Sequence, residues 1–192
     1  MSDAGTYAIR KPVGVALLGA ALVLVSLNIA LTLQNRTLKR EVFAPTALTP
    51  QVGTRIDRLE GVAPDGSKVE VSFDDASQQT LLFVFSDECR VCDLNWPEWQ
   101  SVARSVNRER LRLLYANIES TLSPEYTKEY GIDSATVFAE LDPRYQLILH
   151  LRVTPLTILL SGTGQVTHVW VGLLEGHQLS DLRRIVNLLG SS

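Results

Sequence analysis

Cys89 and Cys92 are the only cysteines among 192 residues, and they stand three apart just past the apolar run Leu81-Leu82-Phe83-Val84-Phe85. A short apolar run of this kind reads as a buried strand, and helical spacing follows it, so the pair falls on a strand-to-helix turn. Two thiols placed there reach each other, and the helix N-terminus favours a thiolate. Thiol–disulfide exchange needs an attacking thiolate, a second thiol close enough to release the mixed disulfide, and access for a partner. Cys89, at the exposed first turn, meets the first and third needs. Cys92, one turn on and facing the interior, meets the second. Arg90 inside the motif favours the Cys89 thiolate, whereas Asp87 and Glu88 disfavour it, and the net sign stays open.

Other chemistries fit less well. A structural zinc site needs four ligands, commonly with a second close pair, and His150, His168 and His177 are spread out and match no such spacing. No metal ligand is therefore expected, and no cofactor beyond the Cys89–Cys92 disulfide itself. No phosphate-binding glycine loop and no Ser–His–Asp pattern stands out, and Asp74-Asp75 reads as a solvated turn. A net charge of −3, a pI near 5.6 and scattered lysines and arginines argue against nucleic acid as a partner. Trp96 and Trp99 have the spacing of a helix face packed on a sheet.

The elements that position the pair alternate between strand and helix. Asp65-Gly66 is a turn, after which Val69, Val71 and Phe73 alternate with polar residues. A helix is expected from about Cys89 to Asn107, with Cys92, Trp96, Trp99, Ala103 and Val106 facing inward. Next come a strand over 111–118 and a short helix capped by Ser123-Pro124 and closed by Gly131. A strand over 137–141 and a helix from Asp142-Pro143 to about Leu151 follow. Strands over 157–160 and 166–171 flank Gly162-Thr163-Gly164 as a hairpin. The last helix, with Ser180 as its cap, buries Leu182, Ile185, Val186 and Leu189. The sum is an α/β domain, a mixed central sheet covered by helices on both faces.

Ahead of this domain, residues 13–33 carry no charge and are long enough to cross a bilayer. The segment is a transmembrane helix or the core of a secretory signal, and its length favours an uncleaved signal-anchor. The expected organisation is a cytoplasmic tail over 1–12, a membrane helix over 13–33, a linker over 34–53 and the folded domain over 54–192. Flanking charges orient the helix poorly, so topology rests on the chemistry.

Taken together, the strand, Cys-x-x-Cys at a helix start, Pro97 five residues after Cys92 and the later Val153-Thr154-Pro155 before a strand resemble the thioredoxin fold. The extra N-terminal β-hairpin, the longer central segment and the membrane helix narrow this. They are similar to the TlpA/ResA-type thiol–disulfide oxidoreductases that bacteria tether outside the cytoplasmic membrane. The string from Phe85 to Cys92 also looks like the MauD-type accessory proteins. The resemblance implies that Cys89 is the nucleophile, Cys92 the resolving thiol, Pro155 a cis-proline facing the disulfide and Thr154 a backbone contact for substrate. It also implies that Pro97 kinks the helix; the charges of Arg90 and Glu88 are expected, on their own account, to tune the thiolate. Three positions depart from the family: Glu88 stands where tryptophan is common, Phe83 where an asparagine or buried acid is common, and Asn95 where some reductases carry glutamate. These leave the proton route and the direction of electron flow open.

The function expected is a protein-disulfide oxidoreductase, anchored in the bacterial inner membrane with its domain in the periplasm, where disulfides persist. Its partners would be a protein thiol or disulfide, as in cytochrome c or other enzyme maturation, a membrane thiol carrier as electron source, and the bilayer through 13–33. The rival class is a non-catalytic accessory module that grips a client during assembly. A copper chaperone and a peroxidase are weaker alternatives. Related copper carriers use a wider cysteine spacing with a histidine, and Leu82 stands where peroxiredoxins carry proline.

Overall fold

The computed structural model describes residues 10–42, 48–119, 122–133 and 136–190. Residues 1–9 of the expected tail and 43–47 of the expected linker lie outside these. The chain divides into two compact units, residues 1–44 and 45–192.

The described residues of the first unit form a single helix, α1 (Arg10–Val42). Its 19-residue window Gly14–Thr32 has a mean hydropathy of 2.3, none of it is buried, and it is long and apolar enough to cross a membrane. The polar side chains in this stretch are satisfied within the helix. Ser26 Oγ, Asn28 Nδ2 and Thr32 Oγ1 donate to the carbonyls one turn back, of Leu22, Leu24 and Asn28, at 2.9, 2.9 and 2.7 Å. That arrangement removes most of the cost of such groups in an apolar surround.

The second unit holds two sheets. The strands β1 (Arg58–Val62) and β2 (Lys68–Ser72) form an antiparallel hairpin around Asp65-Gly66. The main sheet is built from β3 (Gln79–Phe85), β4 (Leu111–Asn117), β5 (Val137–Phe138), β7 (Leu156–Leu160) and β8 (Val166–Val171), in the order β5-β4-β3-β7-β8. β3, β4 and β5 run parallel, β7 runs antiparallel to them, and β8, antiparallel to β7, shares their direction, so the sheet is mixed as expected. β3 is central and buried on both faces, which is why it reads as an unbroken apolar run. Leu81, Phe83 and Phe85 face one core, with α2 (Arg90–Ser105), α3 (Pro124–Glu129) and α5 (Gly176–Gly190). Leu82 and Val84 face the other, with the small sheet and α4 (Pro143–Ile148).

Four details differ from the sequence reading. The expected strand over 137–141 is two short strands in different sheets: β5 pairs with β4, while β6 (Glu140–Leu141) pairs antiparallel with β1. Between them the Ala139 N–H donates to Val62 O at 2.8 Å, and Asn117 Nδ2 donates to Ala139 O at 3.1 Å. Gly61 permits this crossing, because a Cβ there would lie 2.8 Å from the Phe138 ring and against the Glu140 carbonyl. α4 stops at Ile148, where His150 adopts a positive φ of 49° and buried Leu149 and Leu151 turn into the core. α5 begins at Gly176, so Ser180 lies inside it and donates to His177 O rather than capping. Finally, α1 continues through Val42, and Leu48–Gly53 packs on the domain. Thr49 and Pro50 are buried, Arg152 N donates to Leu48 O, and Gly53 N donates to Val166 O.

Candidate redox site

The Cys89–Cys92 turn begins where β3 ends. Ser86 is buried, and its carbonyl accepts from Cys89 N at 3.1 Å while its hydroxyl accepts from Glu88 N at 3.2 Å. These bonds fold 86–89 so that Cys89 becomes the N-cap of α2, with extended backbone angles of −92° and 99°. Its carbonyl accepts from Cys92 N at 2.8 Å and Asp93 N at 3.3 Å. Its sulfur accepts from Cys92 N at 3.2 Å, the part a serine or aspartate oxygen plays at other helix starts. An N–H aimed at sulfur, at the positive end of a 16-residue helix, is an environment that stabilises a thiolate.

Cys89 and Cys92 are joined by a disulfide, with Cα atoms 5.2 Å apart. The two sulfurs differ in access. Cys92 is fully buried in the core that holds Phe85, Trp96 and Tyr126, whereas Cys89 is only partly buried and packs at its edge. A partner therefore meets Cys89 first. Glu88 and Arg90 flank it, both exposed, and neither makes an ion pair among the described residues. Thr154–Pro155 is a cis peptide. Leu156 is opposite Val84 in the β3–β7 register, so Pro155 lies level with Phe85, at the sheet end where the cysteine turn leaves. Pro97 is on the exposed side of α2, which runs unbroken past it.

The three departures from the resembled family have structural roles. Phe83 packs against Trp99 and Tyr115, with ring centroids 5.2 and 5.1 Å away, so an aromatic layer fills the place of a buried acid. Asn95 is fully buried and hydrogen-bonded to the backbone of Gly172 and Leu174. Glu88 is exposed at the rim. The apolar stripe of α2 is Cys92, Trp96, Trp99 and Val102, with Ala103 and Val106 only partly buried beside it. Trp99 Nε1 donates to Thr157 Oγ1 at 2.9 Å, joining α2 to β7 within the core.

A network next to Cys92 was not read from the sequence. Trp96 Nε1 donates to the Tyr126 hydroxyl at 2.7 Å, and that hydroxyl donates to Asp93 Oδ1 at 3.2 Å. Burial raises the pKa of Tyr126 well above the usual phenol value, the indole bond opposes this, and the Asp93 carboxylate adds to it. Tyr130 stacks on Trp96 at 4.9 Å, and burial, reinforced by a hydrogen bond to Asp93, pushes it up to about 12. The available signal was a tyrosine pair four apart, Tyr126 within α3 and Tyr130 as its C-cap, a spacing that puts both on one side.

Among solved structures the chain is similar to a thiol:disulfide interchange protein of the thioredoxin family from Chlorobium tepidum TLS. The identity is 20%, 73% of this chain and 99% of that one are covered, and the TM-score is 0.55. The fold is thioredoxin-like. A thiol:disulfide interchange protein from Bacteroides sp. matches at 15% identity over 72% of this chain and 91% of that one, with a TM-score of 0.55. The MTB dsbF protein matches at 17% identity over 73% and 99%, with a TM-score of 0.54. At these identities the likeness is one of fold. No family model and no curated protein matches the sequence. In the thioredoxin-like frame the sequence-predicted Cys89, Cys92, Thr154 and Pro155 gather at one end of the main sheet, with Glu88 and Arg90 on its rim and Pro97 on the outer face of α2.

Proposed function

We propose that the chain is a membrane-anchored thiol–disulfide oxidoreductase that cycles Cys89 and Cys92 between dithiol and disulfide against cysteines of an extracytoplasmic protein. The observation that carries this is the unequal pair: a half-exposed Cys89 receiving an N–H on its sulfur, and a buried Cys92 one turn behind it. In the reducing direction, the Cys89 thiolate attacks one sulfur of a client disulfide, and the client's other sulfur leaves as a thiolate. Cys92, losing its proton, then attacks Cys89, and the client's second sulfur leaves. Two electrons pass to the client, and its thiolates take up two protons. The reverse sequence oxidises a client dithiol through the same bonds. A membrane thiol carrier restores the dithiol by exchange of the same kind. Exposed Glu88 and Arg90 tune the thiolate, and Thr154–Pro155 offers an edge for the client backbone.

The apolar helix α1 supports anchoring, and a lone redox pair functions best where disulfides persist, which supports a cytoplasmic N-terminus and a periplasmic domain. Maturation of a cytochrome or another cysteine-bearing enzyme is the client class that fits such a place.

The test is a redox equilibrium titration of the full chain in detergent, in glutathione or dithiothreitol buffers, read by tryptophan fluorescence and by thiol alkylation. Reversible two-electron behaviour, lost in Cys89→Ser, is expected. Thiols that never pair, or client binding that survives Cys89→Ser with full function, would replace the enzyme by an accessory binding module. For topology, protease added to spheroplasts should reach the domain without opening of the membrane; protection there refutes the periplasmic placement.

A further inference from the structure

Asn95 is the polar member of an otherwise apolar stripe, and thiol chemistry leaves it without a task. It is fully buried on α2, three residues past Cys92. Its Nδ2 donates to Gly172 O at 3.0 Å, and its Oδ1 accepts from Leu174 N at 2.7 Å. Both partners lie in the turn between β8 and α5. Gly172 in turn donates its own N–H to Pro155 O at 2.9 Å, and it turns the chain there with a φ of 82°. One carboxamide thus ties the redox helix to a turn that is itself bonded to the cis-proline segment. Only a side chain with a donor and an acceptor side by side does this; a carboxylate cannot donate to Gly172 O, and an aliphatic group leaves both backbone groups unpaired in the interior.

We infer that Asn95 is a positioning residue that holds the Thr154–Pro155 edge at a set distance from Cys89, and so selects extended polypeptide over small disulfides as the partner. The inference rests on the thiol–disulfide reading above. A client docked along that edge brings its sulfur to Cys89 in line for attack, and a loosened edge loses this alignment. Misplacement of reacting groups by as little as ~1 Å costs up to ~100-fold in rate. A small disulfide needs no edge and aligns itself. The Asn95 carboxamide is neutral and its donor and acceptor are both taken by backbone, so it offers neither a charge nor a hydrogen bond to the sulfurs.

The experiment compares the reduced full chain in detergent with the uncharged variants Asn95→Ala and Asn95→Leu. Two oxidants are used: a synthetic extended peptide carrying one disulfide, and the small aromatic disulfide 5,5′-dithiobis(2-nitrobenzoate). The expected result is a roughly tenfold or larger fall in the peptide rate, with the small-disulfide rate within about twofold of wild type. Equal falls with both oxidants, or no fall with the peptide, overturn the inference. A wild-type chain that exchanges with neither oxidant refutes the enzyme reading itself, before any variant is compared. Should both variants fail to fold, judged by near-ultraviolet dichroism, amide exchange in the wild type decides. The Gly172 and Leu174 amides must then be protected as strongly as those of α2, and exchange at the rate of an open loop overturns the inference.

Discussion

Replacing Asp93 by asparagine should make Cys89 more reactive, and the size of the effect follows from the helix. Asp93 is four residues after the N-cap Cys89, so the two side chains share a face one turn apart, at about 5–6 Å between Cβ atoms. A carboxylate there opposes a thiolate on Cys89. At ~6 Å and an effective dielectric of ~40, the repulsion is about 1.4 kcal/mol, and screening at a half-exposed site brings it to about 1 kcal/mol. That energy is roughly a fivefold change in the thiolate-to-thiol ratio. The substitution keeps an oxygen to which Tyr126 can donate, so the contact with Trp96 stays in place. The assay is the rate of iodoacetamide alkylation of the reduced chain against pH, with Cys92→Ser in the background so that one thiol reports. In Asp93→Asn the midpoint should move to lower pH. In the chain with both cysteines, a fivefold gain for the reduced form raises the two-electron potential by about 20 mV. A midpoint that stays put, or that moves to higher pH, refutes the electrostatic reasoning.

Three further outcomes test the core around the site. Thr157→Val leaves the buried Trp99 indole N–H without its acceptor and should cost about 1–3 kcal/mol in denaturant unfolding of the domain, while Thr157→Ser costs much less. Gly61→Ala forces a Cβ against the Glu140 carbonyl and the Phe138 ring, and should lower stability by about 1–3 kcal/mol, with faster amide exchange at Val62 and Ala139. Tyr130 has a folded pKa raised to about 12, so the folded state keeps a proton that the unfolded chain releases from about pH 10. Stability is then complete below pH ~10 and falls as pH rises towards 12. In Tyr130→Phe this alkaline loss should shrink, measured as the midpoint of urea unfolding at pH 9 and 11.

Much of the site was legible because its signals are local. A strand, a cap position and a helix spacing lie within 81–99, and each constrains the next, so Cys89 as the exposed member and Cys92 as the buried one follow from the sequence. Ser123-Pro124 and Asp142-Pro143 gave the starts of α3 and α4 for the same reason. What sequence could not supply was the partner of each group. Val137 to Leu141 reads as one strand with Glu140 as its single charge, and nothing in it says that Ala139 passes from one sheet to another. That depends on Val62, Asn117 and Gly61, which lie far away in the chain. Asn95 carried a weak signal, a polar residue among inward-facing aromatics, but its backbone partners are 77 and 79 residues on. Ser180 misled because serine is a good cap, yet the helix already starts at Gly176, a residue of low helix propensity that hides the boundary.

The seating of Leu48–Gly53 decides where the folded domain of this chain must be cut. A fragment starting at Thr54 would lose the Gly53 donor to Val166, the Leu48 carbonyl beneath Arg152, and the surface covered by Thr49 and Pro50. Val166 begins an edge strand and Arg152 stands two residues before Thr154, so the trimmed protein would fray at the sheet border and beside the cis-proline segment together. Such a fragment would under-report both stability and exchange rate, whereas one begun before Leu48 would keep its belt and report the intact domain.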